Sequence, residues 1–315
     1  MSDILAIGNY REGDAKALRD EFAALEIETL DDLARLDENA RAGIRGAAFK
    51  GNGAFDGAAM DLLPGLKMIA NFGVGFDAID VDAATARGIV VTNTPDVLND
   101  DVADLAVGLW LAQARGFEAG AAQIRAGRWA SEGPLPLARK ASGRRVGILG
   151  MGRIGREIAD RLAAFKCEIH YHARGEKDTP GWTFHADPVA MARAVDDVII
   201  AIVGGAATEN YVGEAFLRAL GPDGVIVNIS RGSVIDEEAL IAALENGTIR
   251  GAGLDVFRGE PDVDERLRAM ENVYPLPHLG SATIETRAEM AALQRRNLAA
   301  LRAGEAPLTP VNAPG

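Results

Sequence analysis

The sequence predicts an α/β fold: two Rossmann-like domains on doubly wound, mostly parallel sheets, the substrate domain being discontinuous along the chain. Three observations predict it. Short apolar runs alternate with amphipathic helical stretches from end to end, the pattern of parallel strands joined by helical crossovers. The run Val146-Gly-Ile-Leu-Gly-Met-Gly-Arg-Ile-Gly155 passes from strand character into glycines at Gly150, Gly152 and Gly155, the spacing of a nucleotide phosphate grip. A chain of 315 residues also suits two domains better than one. The predicted division sets 1–98 and 285–315 as the substrate domain and 99–284 as the dinucleotide-binding domain.

In chain order, Ile4 to Gly8 reads as an apolar strand, Ala15 to Leu25 as a helix and Ala47 to Phe49 as a second strand. Leu66 to Ala70 is a third, leading into Asn71-Phe-Gly-Val-Gly-Phe-Asp77. The glycines at Gly73 and Gly75 suit either bare amides facing an anion or a tight turn, and spacing alone does not choose. Ile89 to Thr92 is a strand that Thr94-Pro95 breaks. Asn99-Asp-Asp101 then starts a helix, its acids suited to the helix dipole. Val102, Leu105, Ala106 and Leu109 form one apolar face of that helix, which reads as a crossing between domains; the helical run 284–303 is the candidate for the return.

Each glycine of the central motif has a separate task. Gly150 makes the tight turn, Gly152 lets backbone approach a pyrophosphate, and Gly155 packs helix against strand, so Gly150, Gly152, Arg153, Ile154 and Gly155 are candidates for contact with a dinucleotide. Ile154, Ile158, Leu162 and Phe165 recur at helical spacing behind it, and Glu168 to Tyr171 is the next strand. Further strands are expected at Val198 to Val203, Val225 to Asn228, Gly253 to Val256 and Val273 to Leu276. Ligands of such sheets bind beyond the carboxyl ends of the strands. Arg231, Glu260 and His278 follow three of these ends, where a guanidinium, a carboxylate and an imidazole make an anion clamp with an oriented acid/base. Taken singly, each also fits a structural role: a surface ion pair, a solvated charge, a structural histidine.

Composition narrows the partners. A formal net charge of −13 disfavours nucleic acid, which selects clustered Lys and Arg. The single cysteine, Cys167, excludes an internal disulfide and reads as an inert thiol beside a strand. With neither a basic-then-apolar leader nor a membrane-length apolar run, a cytoplasmic protein without a membrane partner is expected. The histidines, His170, His172, His185 and His278, are scattered without ligand spacing, so no metal is expected.

Asn228-Ile-Ser-Arg-Gly-Ser-Val-Ile-Asp236, Gly253-Leu-Asp-Val-Phe257, Glu260-Pro261 and Pro277-His-Leu-Gly-Ser-Ala-Thr283 together resemble the D-isomer-specific 2-hydroxyacid dehydrogenase family, and within it the glyoxylate and hydroxypyruvate reductases. The similarity runs from about Leu66 to Thr283 and is looser before that. By this resemblance His278 is the proton donor to a ketone oxygen, and Glu260 holds its ring and favours its charged form. Arg231 clamps the substrate carboxylate and carbonyl. Val74 and Gly75 supply amides to the same carboxylate, which displaces the turn-only reading of their loop. Asp255 orients the nicotinamide, with Gly280 and Ser281 beside the ring; Val203 and Ile229 are further cofactor positions.

NAD-preferring folds place an acid about twenty residues past the glycines. Here Tyr171-His-Ala-Arg174 has none: Ala173 takes the acid's place and Arg174 offers a cation to a ribose 2′-phosphate, so NADPH is the preferred cofactor with NAD possible. Arg174 paired with Glu176 is the alternative, and His172 and Lys177 are candidate helpers. Two positions depart from the family pattern: Val102 replaces a threonine, and Val203-Gly204-Gly205 replaces a proline-containing turn beside the adenine. Lys50 is a candidate for the far end of the substrate or a solvated lysine, and Trp129 lies on an arm that in relatives crosses to the partner of a homodimer. The competing functions are a nucleotide-sensing, corepressor-like binding protein of this fold and a phosphoglycerate dehydrogenase.

Overall fold

The computed structural model describes residues 2–51 and 53–314. The chain forms two compact units, Met1–Leu98 with Thr283–Gly315, and Asn99–Ala282. Each is α/β around one parallel sheet.

The first unit contains β1 (Ile4–Ile7), β2 (Leu25–Ile27), β3 (Gly46–Phe49), β4 (Met68–Asn71) and β5 (Val90–Thr92), in the order β2-β1-β3-β4-β5. The inner strands β1, β3 and β4 are buried at every residue, which is why they read as unbroken apolar runs. Strand alternation divides their side chains between two cores. Leu5, Ile7, Ala47, Phe49 and Ile69 pack with Phe55 and Met60 on one face, while Ile4, Ala6, Ala48, Met68 and Ala70 pack with Leu18, Phe22 and Leu298 on the other. The helix expected to run to Leu25 spans Glu12–Phe22: Ala23 takes a left-handed φ of 50°, the chain reverses, and Leu25 opens an edge strand too short to show a period in sequence.

The second unit contains β6 (Arg145–Leu149), β7 (Glu168–His172), β8 (Thr183–His185), β9 (Asp197–Ile200), β10 (Val225–Asn228), β11 (Gly251–Leu254) and β12 (Val273–Pro275), in the order β12-β11-β10-β9-β6-β7-β8. The strand order reverses between β6 and β9, which opens a crevice at their carboxyl ends. Three of these strands end earlier than expected, β9 at Ile200, β11 at Leu254 and β12 at Pro275; the residues beyond them, Val203 included, belong to the loops along that rim.

The helix Asn99–Arg115 buries Val102, Ala103, Ala106, Val107, Leu109 and Trp110, more than one stripe, with Leu105 only partly covered. It and Ile284–Ala303 each lie within one unit, so the chain changes units just ahead of these helices and not along them. Among the described residues no helix is long and apolar enough to cross a membrane.

Candidate active site

The glycine motif forms the turn from β6 into the helix Arg153–Ala164. A Cβ on Gly155 would stand 1.9 Å from the Gly150 carbonyl oxygen, and one on Gly150, at φ +109°, would stand 2.6 Å from the Ile202 nitrogen. Only glycine allows those approaches. At Gly152, the N-cap of the helix that starts there, the same test meets nothing within 4 Å. An open glycine at a helix N-terminus suits a pyrophosphate. Arg153 is exposed, Ile154 half-buried, and Ile229 buried just past β10.

Arg231, Glu260 and His278 follow the carboxyl ends of the adjacent strands β10, β11 and β12. Asn228, 1% exposed, sets the Arg231 turn: its Nδ2 donates to the Arg231 carbonyl at 2.9 Å and its Oδ1 accepts from the Ser230 amide at 3.0 Å. Gly232 lies flat on the next loop, where a Cβ would come within 2.0 Å of the Phe257 carbonyl carbon. At Gly204 a Cβ would stand 2.4 Å from Arg231 Cγ, so the departure seen in sequence at Val203-Gly204-Gly205 makes room for the stem of the arginine. Val203 itself is exposed.

Glu260 and His278 are bonded, His278 Nδ1 to Glu260 Oε2 at 2.7 Å, and the other carboxylate oxygen accepts from the Phe257 amide at 2.9 Å. Burial opposes ionisation of Glu260. The His278 hydrogen bond, the Phe257 amide and the charges of His278 and Arg231 together outweigh it and hold the carboxyl below its ordinary range. His278 has a left-handed φ of 54°, a conformation costing a β-carbon residue about 1–3 kcal/mol. Asp255 holds it there: its carbonyl accepts from the His278 amide at 2.9 Å, while Oδ1 and Oδ2 accept from Leu279 and Gly280 at 2.7 and 2.8 Å. Burial pushes the Asp255 carboxyl up, against those two amides. Asp255, expected only to orient the nicotinamide, thus also supports the histidine loop. Gly280 packs beside Val102, and Ser281 is half-buried.

Beyond β7, Ala173 is half-buried and Arg174 exposed, with no ion pair from Arg174 among the described residues, so the pairing with Glu176 is not made. Lys177 is exposed in the same loop. His172 does not assist at the phosphate, contrary to expectation. It is buried, with Nδ1 at 2.9 Å from the His185 carbonyl and Nε2 at 2.9 Å from the Tyr211 hydroxyl, and has no nitrogen left for a phosphate. Nor are the histidines scattered. The register of β7 on β8 brings His170 within 2.8 Å of His185, nitrogen to nitrogen, with their rings stacked. Among the described residues no group of three or more His, Cys, Asp and Glu side chains has the geometry of a metal site.

In the first unit, Asn71 Nδ2 donates to the carbonyls of Gly73 and Gly75, and Asn93 Nδ2 to that of Val74. All three carbonyls are thereby taken, while the Val74 and Gly75 amides donate to nothing among the described residues. That arrangement fits a carboxylate. Lys50 Nζ donates to the Asn9 carbonyl at 2.7 Å and sits over the rings of Tyr10 and Phe72; burial pushes its pKa down, the Arg287 charge adding to the effect.

Residues 107–280 match the family model described as "D-isomer specific 2-hydroxyacid dehydrogenase, NAD binding domain". The chain is 42% identical over 294 residues to glyoxylate/hydroxypyruvate reductase A HPR2 of Arabidopsis thaliana, covering 93% of this chain and 94% of that one. It is 40% identical over 312 residues to 2-ketogluconate reductase of Gluconobacter oxydans, covering 98% of each. Among solved structures, the NADPH-dependent glyoxylate/hydroxypyruvate reductase of Sinorhizobium meliloti, in complex with NADP and malonate, is 45% identical with a TM-score of 0.93, covering 98% of this chain and 96% of that one. The chain belongs to the D-isomer-specific 2-hydroxyacid dehydrogenase family.

Proposed function

We propose that the protein reduces small 2-keto acids, glyoxylate and hydroxypyruvate among them, to D-2-hydroxy acids, with NADPH preferred and NADH accepted. The bond between His278 and Glu260 beside Arg231, at three adjacent strand ends, carries this reading. When bound, the dinucleotide supplies the hydride. The rest falls to the chain: the unit Asn99–Ala282 serves as dinucleotide-binding domain, and the unit Met1–Leu98 with Thr283–Gly315 as substrate domain, two residues earlier than the expected boundary at 284. Glu260 fixes the Nδ1–H side of the ring, so Nε2 delivers the proton to the ketone oxygen. Arg231 supplies a planar fork of donors to the carboxylate, a group also suited to the free amides of Val74 and Gly75. Gly150, Gly152, Arg153, Ile154 and Gly155 hold the pyrophosphate, Asp255, Gly280, Ile229 and Val203 line the remaining cofactor positions, and Arg174, following Ala173, takes the 2′-phosphate. Lys50, half-buried and close to Phe72, serves the far end of longer substrates.

Relatives support the substrate class and cofactor by their names, as glyoxylate/hydroxypyruvate and 2-ketogluconate reductases and as an NADP complex. Exposed apolar side chains at Phe117, Ile124, Trp129, Leu135 and Leu137, gathered in one stretch of a strongly charged protein, support a homodimer. Trp129, 60% exposed, is the arm residue that closes the partner's site. A soluble cofactor and a lone cysteine favour the cytoplasm. The test is turnover with a panel of keto acids against NADPH and NADH. Consumption of NADPH with glyoxylate or hydroxypyruvate, faster than of NADH, is expected; cofactor binding without turnover on any keto acid would favour the corepressor-like alternative.

A further inference from the structure

The loop that carries Arg174 is tied down from two directions. Tyr171, fully buried on β7, points to the face opposite His170 and His172, and its hydroxyl closes a two-way bond on one residue: it accepts from the Lys177 amide at 2.9 Å and donates to the Lys177 carbonyl at 3.1 Å. The neighbouring residue is held from the phosphate-grip helix. Arg156 Nη1 donates to the Asp178 carbonyl at 2.7 Å, and its guanidinium lies 4.9 Å from the centre of the Trp182 ring. Strand and helix thus fix residues 177 and 178, while 173–176 bulge outward between β7 and that anchor with their side chains largely in solvent. A short exposed loop with a free guanidinium would otherwise sample many shapes, and ordering it on ligand binding costs affinity.

We propose that Tyr171 and Arg156 are positioning residues for cofactor choice: by staking the loop at Lys177 and Asp178 they pre-organise Arg174 for a ribose 2′-phosphate. The inference rests on the reading of Arg174 as the 2′-phosphate ligand. Tyr171 has no contact of its own with a phosphate, since its hydroxyl is spent on Lys177. Its loss therefore weakens only the cofactor that carries the extra phosphate. A purely structural role would weaken both cofactors alike.

The test is direct titration of NADPH and NADH into the whole protein by fluorescence, with wild type, Tyr171→Phe, Arg156→Met and Arg174→Ala compared. Tyr171→Phe keeps the ring that packs on Phe184 and removes only the hydroxyl. Losing a pair of hydrogen bonds is expected to raise the Kd for NADPH about tenfold while the Kd for NADH changes less than about twofold. Arg156→Met, at a partly exposed position, is expected to act in the same direction and carries the test should Tyr171→Phe fail to fold. Selective loss in Arg174→Ala without selective loss in either staking variant overturns this inference alone. Equal loss of both cofactors in Arg174→Ala overturns the cofactor reading and this inference with it.

Discussion

Glu260 Oε2 lies 2.7 Å from His278 Nδ1, across a separation of 18 residues, and that one bond decides which nitrogen of the histidine is free for chemistry. The carboxylate has no proton of its own in this arrangement, so the ring donates through Nδ1 and presents Nε2.

The same bond gives Glu260 a pH signature. Its folded pKa lies below the ordinary value of 4.5, so its ionised form is favoured by folding. The stabilisation is full above that value and disappears as pH falls through the lowered folded pKa. Thermal unfolding of wild type against Glu260→Gln should show a gap of roughly 1–2 kcal/mol at neutral pH that closes in acid. A gap that widens in acid would contradict the assignment.

Gly204 leaves space for Arg231. Gly204→Ala puts a methyl group 2.4 Å from Arg231 Cγ, near the root of the side chain, where only a change of rotamer relieves it. KM for keto acids should rise about tenfold or more, from a displaced bidentate partner. An unchanged KM would show that Arg231 does not act from this rotamer.

At the opposite end of the second sheet from the rim, Asp197 is 2% exposed and meets Arg144 at 2.6 and 3.0 Å, with Trp110 donating at 2.9 Å. Burial pushes the Asp197 carboxyl up despite these partners. Arg144→Met leaves it uncompensated and should cost about 3–5 kcal/mol in denaturant unfolding. A loss under about 1 kcal/mol would mean that the pair is solvated.

What sequence conveys here depends on distance along the chain. The turn at Gly150, Gly152 and Gly155 is local, so its residues reveal it. Arg231, Glu260 and His278 were legible because strand ends in a parallel sheet fall on one side, and because their motifs resemble a family. The clearance at Gly204, the flat contact of Gly232 on Phe257 and the stacking of His170 on His185 were not legible, since each depends on which strands lie side by side and in what register. His172 misled for the same reason: a histidine beside a phosphate loop looks available until its neighbour on β8 is placed.

The most direct measurement is reduction of hydroxypyruvate by NADPH in wild type and His278→Ala, with cofactor Kd measured alongside. Loss of proton transfer should lower kcat by about a hundredfold or more. NADPH affinity should stay within about twofold, and wild type should yield the D-hydroxy acid. A kcat reduced only severalfold would contradict the account, because some other group would then be supplying the proton.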